Sequence, residues 1–432
     1  MSSKPSKLPF DSVLIIGVGL IGGSLAAALK TLPGGGPLVR GVDIERHAIM
    51  GALEKGYIDE GAIVSGAQAI TASLVAAAAT AAAAAQGSNA AQAAGEVLAP
   101  GEVQAAGEVQ AAGNAQVAAW LTGAAVDLVV LATPAIAAEE WLQCIEASGY
   151  GGAITDVAST KGVVCAAAAA SLCDSTRYIP GHPMAGSEVS GIDAARSGLF
   201  SGAHWILCPD EYTDNALYLR MHEFVSQLGA RPISLAREEH DNAIAIVSHV
   251  PHMVASALVQ LAGEHAGQSQ ELFRLAAGGF KDTTRIAAGS PELWCGIALD
   301  NQQALARGLG ELKAIIEDFE QSVAARDRRW LLRLLENAAQ LRSSIPAAWV
   351  PDSSKLVEVR IPMANRSGVI AQVTGFAGRS GCNIQSIDID HINESSAILE
   401  LVLTDEGDIG GFSKQLLDAD FDVTFRPLTP QE

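Results

Sequence analysis

The spacing of apolar residues divides the chain into an alternating α/β part, a helical part and a small α+β part. Short, continuous apolar runs rich in β-branched residues are typical of strands buried on both faces of a parallel sheet. Such runs alternate with helical stretches over residues 1–236, which predicts an α/β Rossmann-type dinucleotide-binding domain. We assign the strands of its sheet to 12–16, 38–42, 127–132, 153–155, 204–208 and 231–235.

The pattern becomes helical at residue 237 and remains so to 345. Apolar residues recur at helical spacing along 299–342, and an apolar face of this kind needs a partner helix. We expect that helix to come from a second subunit. The segment 237–345 is therefore predicted to be an all-α substrate and dimerisation domain of a homodimer.

A linker at 346–354 precedes a second mixed pattern at 355–429. Its segments follow the order strand, helix, strand, strand, helix, strand, which is the βαββαβ order of a small α+β ferredoxin-like domain. The six segments are 356–361, 368–378, 383–389, 396–403, 409–418 and 421–425.

Residues 65–119 form an Ala/Gly-rich, low-complexity insertion in the first domain. A unit close to Ala-Ala-Gly-Glu-Val-Gln recurs from 93 to 116. Few large apolar side chains are present, so the segment is expected to bury little core, and its repeated glycines disfavour one long helix. We therefore expect a mobile or loosely helical insertion.

The chain is strongly acidic, with a net charge of −20 and a pI of about 4.8. This charge argues against nucleic acids and anionic membranes as partners. The six cysteines are scattered without a Cys-x-x-Cys pair, which argues against a disulfide framework and a structural zinc site. Residues 1–11 lack a signal-type apolar core, and the alanine run 76–85 is too poor in Leu, Ile and Val for a membrane span. We expect a soluble, cytoplasmic protein.

The first strand runs directly into a glycine motif that opens a helix, Gly-Val-Gly-Leu-Ile-Gly at 17–22. Gly17 allows a sharp turn, Gly19 lets the backbone approach a pyrophosphate, and Gly22 lets helix and strand pack closely. Leu20 and Ile21 stand at the helix N-terminus, where free N–H groups and the positive end of the helix dipole favour phosphate. This context predicts a dinucleotide site.

Two other strand ends extend the predicted cofactor site. Asp43 ends the second strand, where its carboxylate can accept hydrogen bonds from an adenosine ribose and would repel a 2′-phosphate, which favours NAD over NADP. Arg46 nearby leaves NADP open. Thr133 and Pro134 follow a later strand and are expected on the nicotinamide side of the cleft.

A histidine stands in the segment Gly-His-Pro-Met-Ala-Gly-Ser-Glu at 181–188. Proline and glycine predict a tight loop. His182 in such a loop is a candidate proton acceptor near neutral pH. The alternative for this segment by itself is a surface turn that contains a histidine. Ser159 follows another strand end and can hydrogen-bond a substrate or His182, or can cap the helix that begins near Lys161.

Two further groups of residues are candidates for the same cleft. His249 and His252 have a His-x-x-His spacing, but no third ligand is evident for a metal, so we predict no metal site and leave cleft-facing or helix-packing roles open. Lys281 and Arg285 are four residues apart and would share a helical face. A guanidinium binds a carboxylate bidentately, which favours an anion clamp over a solvated basic face or a pair with Asp282.

Taken together, these motifs resemble those of the prephenate dehydrogenase family, in the form that carries a C-terminal ACT domain. The stretches that carry the resemblance are 17–25, 156–161, 181–188, 248–252 and 278–287, followed by Trp294 and Asn301. The resemblance covers nearly the whole chain except the Ala-rich insertion.

The resemblance implies an NAD-dependent oxidative decarboxylation of prephenate to 4-hydroxyphenylpyruvate in tyrosine biosynthesis. It implies that His182 takes the proton of the ring hydroxyl, that Ser159 orients His182 or the substrate, and that Arg285 holds a substrate carboxylate. The remaining residues expected to line or tune the pocket are His249, His252, Lys281 and Glu188.

The same resemblance implies tyrosine as an inhibitor bound at paired ACT domains, with Gly368, Asn383 and Ile384 at the effector positions. The sequence departs from the family at two places: Ser367 replaces the usual proline of an Arg-Pro-Gly turn, and Cys295 follows Trp294 where a charged residue is usual. Two alternatives stay open. One is an arogenate dehydrogenase, and the other is a catalytically silent protein that senses NAD or tyrosine.

Overall fold

A computed structural model describes residues 8–32, 34–85, 102–123, 125–187, 189–266, 276–344, 356–393, 395–404 and 407–427. The chain divides into two compact units, 1–305 and 306–432.

The first unit is built on a six-stranded parallel sheet with the strand order β3-β2-β1-β4-β5-β6. This is the strand order of a doubly wound sheet. Strands β1 to β3 extend the sheet in one direction and β4 to β6 extend it in the other, so the order reverses between β1 and β4. Ligands bind at this reversal. The strands are β1 (Ser12–Ile16), β2 (Leu38–Asp43), β3 (Glu60–Ile63), β4 (Leu128–Leu131), β5 (Ala153–Asp156) and β6 (Tyr178–Ile179). The predicted Rossmann-type sheet is confirmed.

Helices connect these strands and cover the sheet. They are α1 (Leu20–Lys30), α2 (Arg46–Glu54), α3 (Ala67–Ala85), α4 (Glu102–Thr122), α5 (Ala138–Ala147) and α6 (Gly162–Ser171). The central strands are buried throughout, as their unbroken apolar sequences require: β1 and β4 have no exposed residue.

The segments 204–208 and 231–235 do not join this sheet, contrary to the sequence prediction. A separate three-stranded sheet consists of β7 (Gly181–Pro183), β8 (His204–Leu207) and β9 (Arg231–Ser234), with α7 (Asn215–Gln227) between the last two. The apolar pattern identified the strands but not their partners. β8 runs antiparallel to β7 and parallel to β9. Pro180 separates β6 from β7, and its lack of an N–H interrupts strand pairing there.

The low-complexity segment contributes more core than its composition suggested. Its ends are the helices α3 and α4, and Ile70 and Val117 on them have no exposed surface. These parts are helical, which is one of the two expected forms, but the expectation that they bury little core is wrong. Residues 86–101 lie outside the described chain. The glycine at 113 does not break α4. A Cβ there would lie 2.0 Å from the carbonyl oxygen of Ile63, so glycine permits the helix to pack on β3.

The first unit continues with α8 (Arg237–Ile244), a π-helical turn (Ala245–His249), α9 (Val250–Ala266), α10 (Gly278–Thr284) and α11 (Pro291–Asp300). Within the described chain, only the stretch Arg237–His265 is long and apolar enough to span a membrane, judged by length and composition. It carries three buried histidines, at 240, 249 and 252, and ionisable groups are costly in hydrocarbon.

The second unit contains two long helices and an antiparallel sheet with the strand order β11-β12-β10-β13. Its elements are α12 (Gln302–Ala324, which begins in the first unit), α13 (Arg328–Ser344), β10 (Leu356–Ala364), α14 (Val369–Arg379), β11 (Ile384–His391), β12 (Ser396–Thr404), α15 (Ile409–Leu417) and β13 (Thr424–Pro427). Val359, Leu401 and Phe412 are fully buried in its core. The predicted ferredoxin-like order is confirmed.

Candidate active site

The glycine turn after β1 has the geometry that its three glycines predict. Gly17 has a φ of 96°, and a Cβ there would lie 2.5 Å from the carbonyl oxygen of Ala132. A Cβ at Gly22 would lie 1.9 Å from the carbonyl oxygen of Gly17. Gly19 has no atom within 4 Å of its Cβ position, so its face is open to a ligand.

The first turn of α1 is free to bind an anion. The helix begins at Leu20, followed by Ile21, and Gly19 at its N-cap provides no side-chain hydrogen bond. No acidic residue stands in this first turn. The amide N–H groups and the helix dipole therefore favour a phosphate at this point.

Asp43 has a structural role as well as its predicted one. Its Oδ2 accepts a hydrogen bond from the N–H of Val18 over 2.7 Å, and its Oδ1 accepts from the N–H of Glu45 over 2.9 Å. The carboxylate therefore shapes the glycine turn. Each oxygen has a second lone pair, so the same group can accept a ribose hydroxyl.

Thr133 and Pro134 follow β4 beside the glycine turn, next to the point where the winding reverses. The Oγ1 of Thr133 is buried and has no hydrogen-bond partner in the part of the chain that the structure describes. A buried hydroxyl without a partner is uncommon and points to a missing ligand. Together with the open face at Gly19, this cradle fits a dinucleotide.

His182 lies on the short strand β7 and not in a loop, which corrects the sequence prediction. Backbone pairing with Ile206 on β8 fixes its position, and only 8% of its surface is exposed. Its Nδ1 lies 2.8 Å from the Nε2 of His240. The Nδ1 of His240 lies in turn 2.8 Å from Oδ1 of Asp241.

Asp241 is the last residue in this series of contacts, and its carboxylate lies at the N-terminus of α6. Its Oδ1 accepts a hydrogen bond from the N–H of Lys161, and its Oδ2 accepts one from the N–H of Gly162, each over 2.8 Å. Burial raises the pKa of Asp241, but the bonds from His240 and from the two backbone N–H groups outweigh it, so the pKa is lowered. The carboxylate is ionised at neutral pH.

His240 and Asp241 are site residues that were not predicted from the sequence. The only local signal is an adjacent acid and histidine on a helix, which is common on solvated surfaces. Asp241 also caps α6, a role that was considered for Ser159. The N-cap residue of α6 forms no side-chain capping hydrogen bond itself. Ser159 is half-buried just after β5, and among the described residues no hydrogen bond joins it to His182.

His249 and His252 both face the same region. His252 stacks on Trp294 with ring centroids 3.5 Å apart, and His249 meets Trp294 edge-on at 6.1 Å. Asn301 donates from Nδ2 to the carbonyl oxygen of Asp241 over 2.7 Å, and that Nδ2 lies 3.3 Å from Nδ1 of His249. The helix-packing and cleft-facing interpretations of these histidines are thus compatible.

Each of these two histidines keeps one ring nitrogen without a partner among the described residues: Nε2 of His249 and Nδ1 of His252. A cavity of about 310 Å³ opens beside His252. Its lining is mostly apolar and consists of His252, Met253, Ser256, Ala287, Gly289, Pro291, Trp294, Cys295 and Ala298. Within the described ranges, no group of three or more His, Cys, Asp or Glu side chains could hold a metal ion.

Burial favours the neutral form of His182, His249 and His252. It lowers the pKa of His182 well below the usual value, and the proximity of Lys161, His240 and His249 lowers it further. Burial also lowers the pKa of His249 to about 4 and lowers the pKa of His252. A neutral imidazole at 182 can accept a proton from a substrate.

The predicted anion clamp, Lys281 and Arg285, lies on α10 and the 3₁₀ turn that follows it. Lys281 lies in α10, and Arg285 begins the 3₁₀ turn that continues it, so both are on one helical segment and both are exposed. The same turn ends at Gly289, whose Cβ position lies 3.5 Å from Cε1 of His252. Glu188 lies outside the described residues.

The three predicted effector residues are not brought together within one chain. Gly368 has a φ of 92° and stands at the N-terminus of α14, whereas Asn383 and Ile384 stand at the start of β11, beyond the other end of that helix. The helix has 11 residues and is therefore roughly 16 Å long.

Two family models match the chain. The model described as "Prephenate dehydrogenase, nucleotide-binding domain" matches residues 98–234, and the model described as "Prephenate dehydrogenase, dimerization domain" matches 236–337. Together they match more than half of the chain.

Individual relatives and structures extend the similarity. The chain is 28% identical to the prephenate dehydrogenase of Bacillus subtilis (strain 168) over 404 residues, which are 92% of this chain and 93% of that protein. It is 32% identical over 168 residues to the cyclohexadienyl dehydrogenase of Zymomonas mobilis, covering 39% of this chain and 57% of that one. The crystal structure of prephenate dehydrogenase from A. aeolicus with hydroxyphenyl propionate and NAD+ is 25% identical, with a TM-score of 0.60, and the match covers 78% of this chain and 98% of that chain.

Proposed function

Because the chain belongs to the prephenate dehydrogenase family, we propose that it is an NAD-dependent prephenate dehydrogenase that converts prephenate to 4-hydroxyphenylpyruvate and CO2 in tyrosine biosynthesis. The observation that carries this proposal is a buried, neutral histidine, His182, in the unit whose glycine turn fits a dinucleotide. The reaction needs a hydride acceptor, a neutral base and a site that excludes water.

The cofactor residues are those of the cradle. NAD, when bound, supplies the acceptor for the hydride that leaves the ring carbon bearing the hydroxyl. Gly17, Gly19 and Gly22 shape the turn on which the pyrophosphate rests, with Leu20 and Ile21 at the helix N-terminus. Asp43 accepts from the adenosine ribose. Thr133, whose buried hydroxyl has no partner within the described part of the chain, and Pro134 border the nicotinamide.

His182 acts on the ring hydroxyl. As hydride leaves the carbon, the imidazole accepts the hydroxyl proton and removes positive charge from the developing carbonyl group. The bond to the ring carboxylate then breaks, CO2 leaves, and the released electron pair makes the ring aromatic. The proton returns to the oxygen, which becomes the phenol of the product, so His182 is neutral again at the end.

The substrate is anionic, and the protein must hold its carboxylates. Arg285 is suited to bind one of them bidentately, with Lys281 on the same helical segment. Among the described residues, His249 and His252 each have one ring nitrogen without a partner, and His252 lines the cavity. These nitrogens can bind the side chain or the ring substituents of the substrate. Ser159, just after β5, is proposed to orient substrate or base, and Glu188, which lies outside the described residues, is proposed to tune the pocket.

Arogenate is the second candidate substrate. One relative is named a cyclohexadienyl dehydrogenase, and prephenate and arogenate share a cyclohexadienyl ring. They differ only in the side chain, where arogenate has an amino group in place of the keto group. Initial rates with each substrate and with NAD or NADP decide between them. We expect the highest kcat/KM for prephenate with NAD. Turnover of neither substrate would contradict the proposed function and favour a silent sensor of NAD or tyrosine.

We further propose a cytoplasmic homodimer with the domain limits 1–236, 237–345 and 355–429, joined by the linker 346–354. The family description of residues 236–337 as a dimerization domain supports the pairing, as do exposed apolar residues such as Ile315 and Ile316 on α12. Size-exclusion chromatography with light scattering measures the assembly directly. A monomer at micromolar concentration would contradict it.

Tyrosine inhibition is proposed for the C-terminal domain, which we interpret as ACT-like. Gly368 lies at the N-terminus of α14 and Asn383 beyond its C-terminus, so a ligand that contacts both needs a second copy of the domain. Asn383→Ala should weaken inhibition by tyrosine while kcat without tyrosine stays unchanged. Ile384 at the start of β11 would pack against the same ligand. Competitive inhibition that survives the substitution would place tyrosine in the active site.

A further inference from the structure

We propose that Asp241, acting through His240, fixes the tautomer of His182 so that its Nε2 presents a lone pair to the substrate. His240 is then a positioning residue for the reaction. This inference rests on the proposed function, because it assigns the state of the same base.

The side chain of ionised Asp241 can only accept hydrogen bonds. Its two oxygens already receive the N–H groups of Lys161 and Gly162 at 2.8 Å. An ionised carboxylate has no proton to donate. The 2.8 Å contact between Oδ1 and the Nδ1 of His240 is therefore a hydrogen bond only if that nitrogen carries the proton.

His240 has no exposed surface. A neutral imidazole with its proton on Nδ1 has a lone pair on Nε2. That nitrogen lies 2.8 Å from Nδ1 of His182, so the latter must be the donor. The proton of neutral His182 is thus on Nδ1, and its Nε2 is left as the acceptor.

The opposite arrangement is costly. If Nε2 of His182 held the proton, its Nδ1 would need a donor, and His240 would have to carry its proton on Nε2. The unprotonated Nδ1 of His240 would then face the Asp241 carboxylate, with two lone pairs in contact. A buried contact between two acceptors leaves both without a donor, which disfavours this tautomer.

The same chain stabilises His182 when it is protonated during the reaction. The imidazolium donates from Nδ1 to His240, and His240 donates to the Asp241 carboxylate. The positive charge of His182 is thus linked to an anion through the ring of His240. The other charged or titratable groups near His182 are Lys161 and His249. Lys161 is paired with Asp156 and donates to Gly181, and neither it nor His249 offers an anion to His182.

Two substitutions at position 240 test the mechanism. His240→Leu removes the acceptor for His182 and should lower kcat about 10- to 100-fold, with KM for prephenate and for NAD nearly unchanged. His240→Gln should restore most of kcat, because its amide can donate to Asp241 and accept from Nδ1 of His182 in the same direction. His222→Leu, a buried histidine on α7, is the matched control for stability loss without loss of kcat.

The tautomer can be measured without the reaction. In enzyme labelled with ¹⁵N-histidine, we expect the Nδ1 of His182 to show the chemical shift of a protonated nitrogen and Nε2 that of an unprotonated one at pH 7. The His182→Asn variant assigns the signals. His240→Gln should retain this pattern and His240→Leu should lose it.

The outcomes separate this inference from the proposed function. A proton on Nε2 of His182 in the wild-type enzyme, or full kcat in His240→Leu, would overturn the tautomer assignment even if prephenate is the substrate. Absence of prephenate turnover in the wild type would overturn the function and leave the NMR result valid. If His240→Leu does not fold, the wild-type spectrum and His240→Gln still decide.

Discussion

Lys161 donates a hydrogen bond from Nζ to the carbonyl oxygen of Gly181 over 2.7 Å, and so ties the start of α6 to the strand that carries His182. The lysine has no exposed surface and is paired with Asp156, whose other oxygen accepts from the hydroxyl of Tyr178. A satisfied buried cation therefore stands beside the base. Burial is the main reason that the pKa of His182 is low, and Lys161 is the next.

The pH dependence of activity should reflect this environment. We expect kcat/KM to fall at acid pH only well below 6.5, the ordinary pKa of histidine, because protonated His182 cannot accept the hydroxyl proton. Initial rates between pH 4 and 8 measure this limb. An acid limb centred near 6.5 would mean that His182 is not shielded as the structure indicates.

Stability should depend on pH through the same histidines. The pKa values of His182, His249 and His252 are lower in the folded state than in the unfolded chain, so the unfolded state binds more protons below 6.5. These histidines therefore make their full contribution to the free energy of unfolding above pH 6.5. This contribution decreases as the pH falls toward 4, by up to about 1.4 kcal/mol per pH unit for each histidine. Urea titrations at pH 7.5, 6 and 5 would measure the slope. His249→Asn should reduce it.

Loss of the base should act on the chemical step. His182→Asn is expected to lower kcat about 10²- to 10⁴-fold, the range typical of a general base, while prephenate still binds. His265→Asn, an exposed histidine in the last turn of α9, is the matched control and should leave kcat unchanged. Near-normal kcat in His182→Asn would remove this residue from the mechanism.

Two glycines of the same turn should respond differently to alanine. Gly19 has open space at its Cβ position, so Gly19→Ala should fold normally but raise KM for NAD by obstructing the pyrophosphate. A Cβ at Gly22 would lie 1.9 Å from a backbone oxygen, so Gly22→Ala should lower the thermal midpoint as well. Thermal unfolding and NAD titration distinguish the two. Equal loss of stability in both variants would contradict the open face at Gly19.

The anion clamp should act on substrate affinity. Arg285→Ala is expected to raise KM for prephenate at least about 10-fold, since a charge-assisted bidentate bond is lost, with a smaller effect on kcat. Arg285→Lys should recover only part, because an ammonium cannot bind in the forked geometry. Arg231→Ala, an exposed arginine on β9, is the control. An unchanged KM in Arg285→Ala would exclude this role.

The sequence by itself determined the elements whose signals are local. Continuous apolar runs marked the strands of the parallel sheet, and the spacing of glycines after β1 marked the dinucleotide turn, because turn geometry depends on neighbouring residues. The βαββαβ order of the C-terminal unit followed from periodicity in the same way. His182, His249 and His252 stood out by residue type.

Only the tertiary structure decided which elements pair and which side chains meet. The contact between His182 and His240 joins positions 58 residues apart, and Asp241 reaches the N-terminus of α6 across 80 residues. Tertiary contacts also decide that β7, β8 and β9 form a separate sheet and that Ile70 and Val117 are buried. Such contacts depend on the relative placement of packed elements, and no pattern within a short window of sequence contains that information.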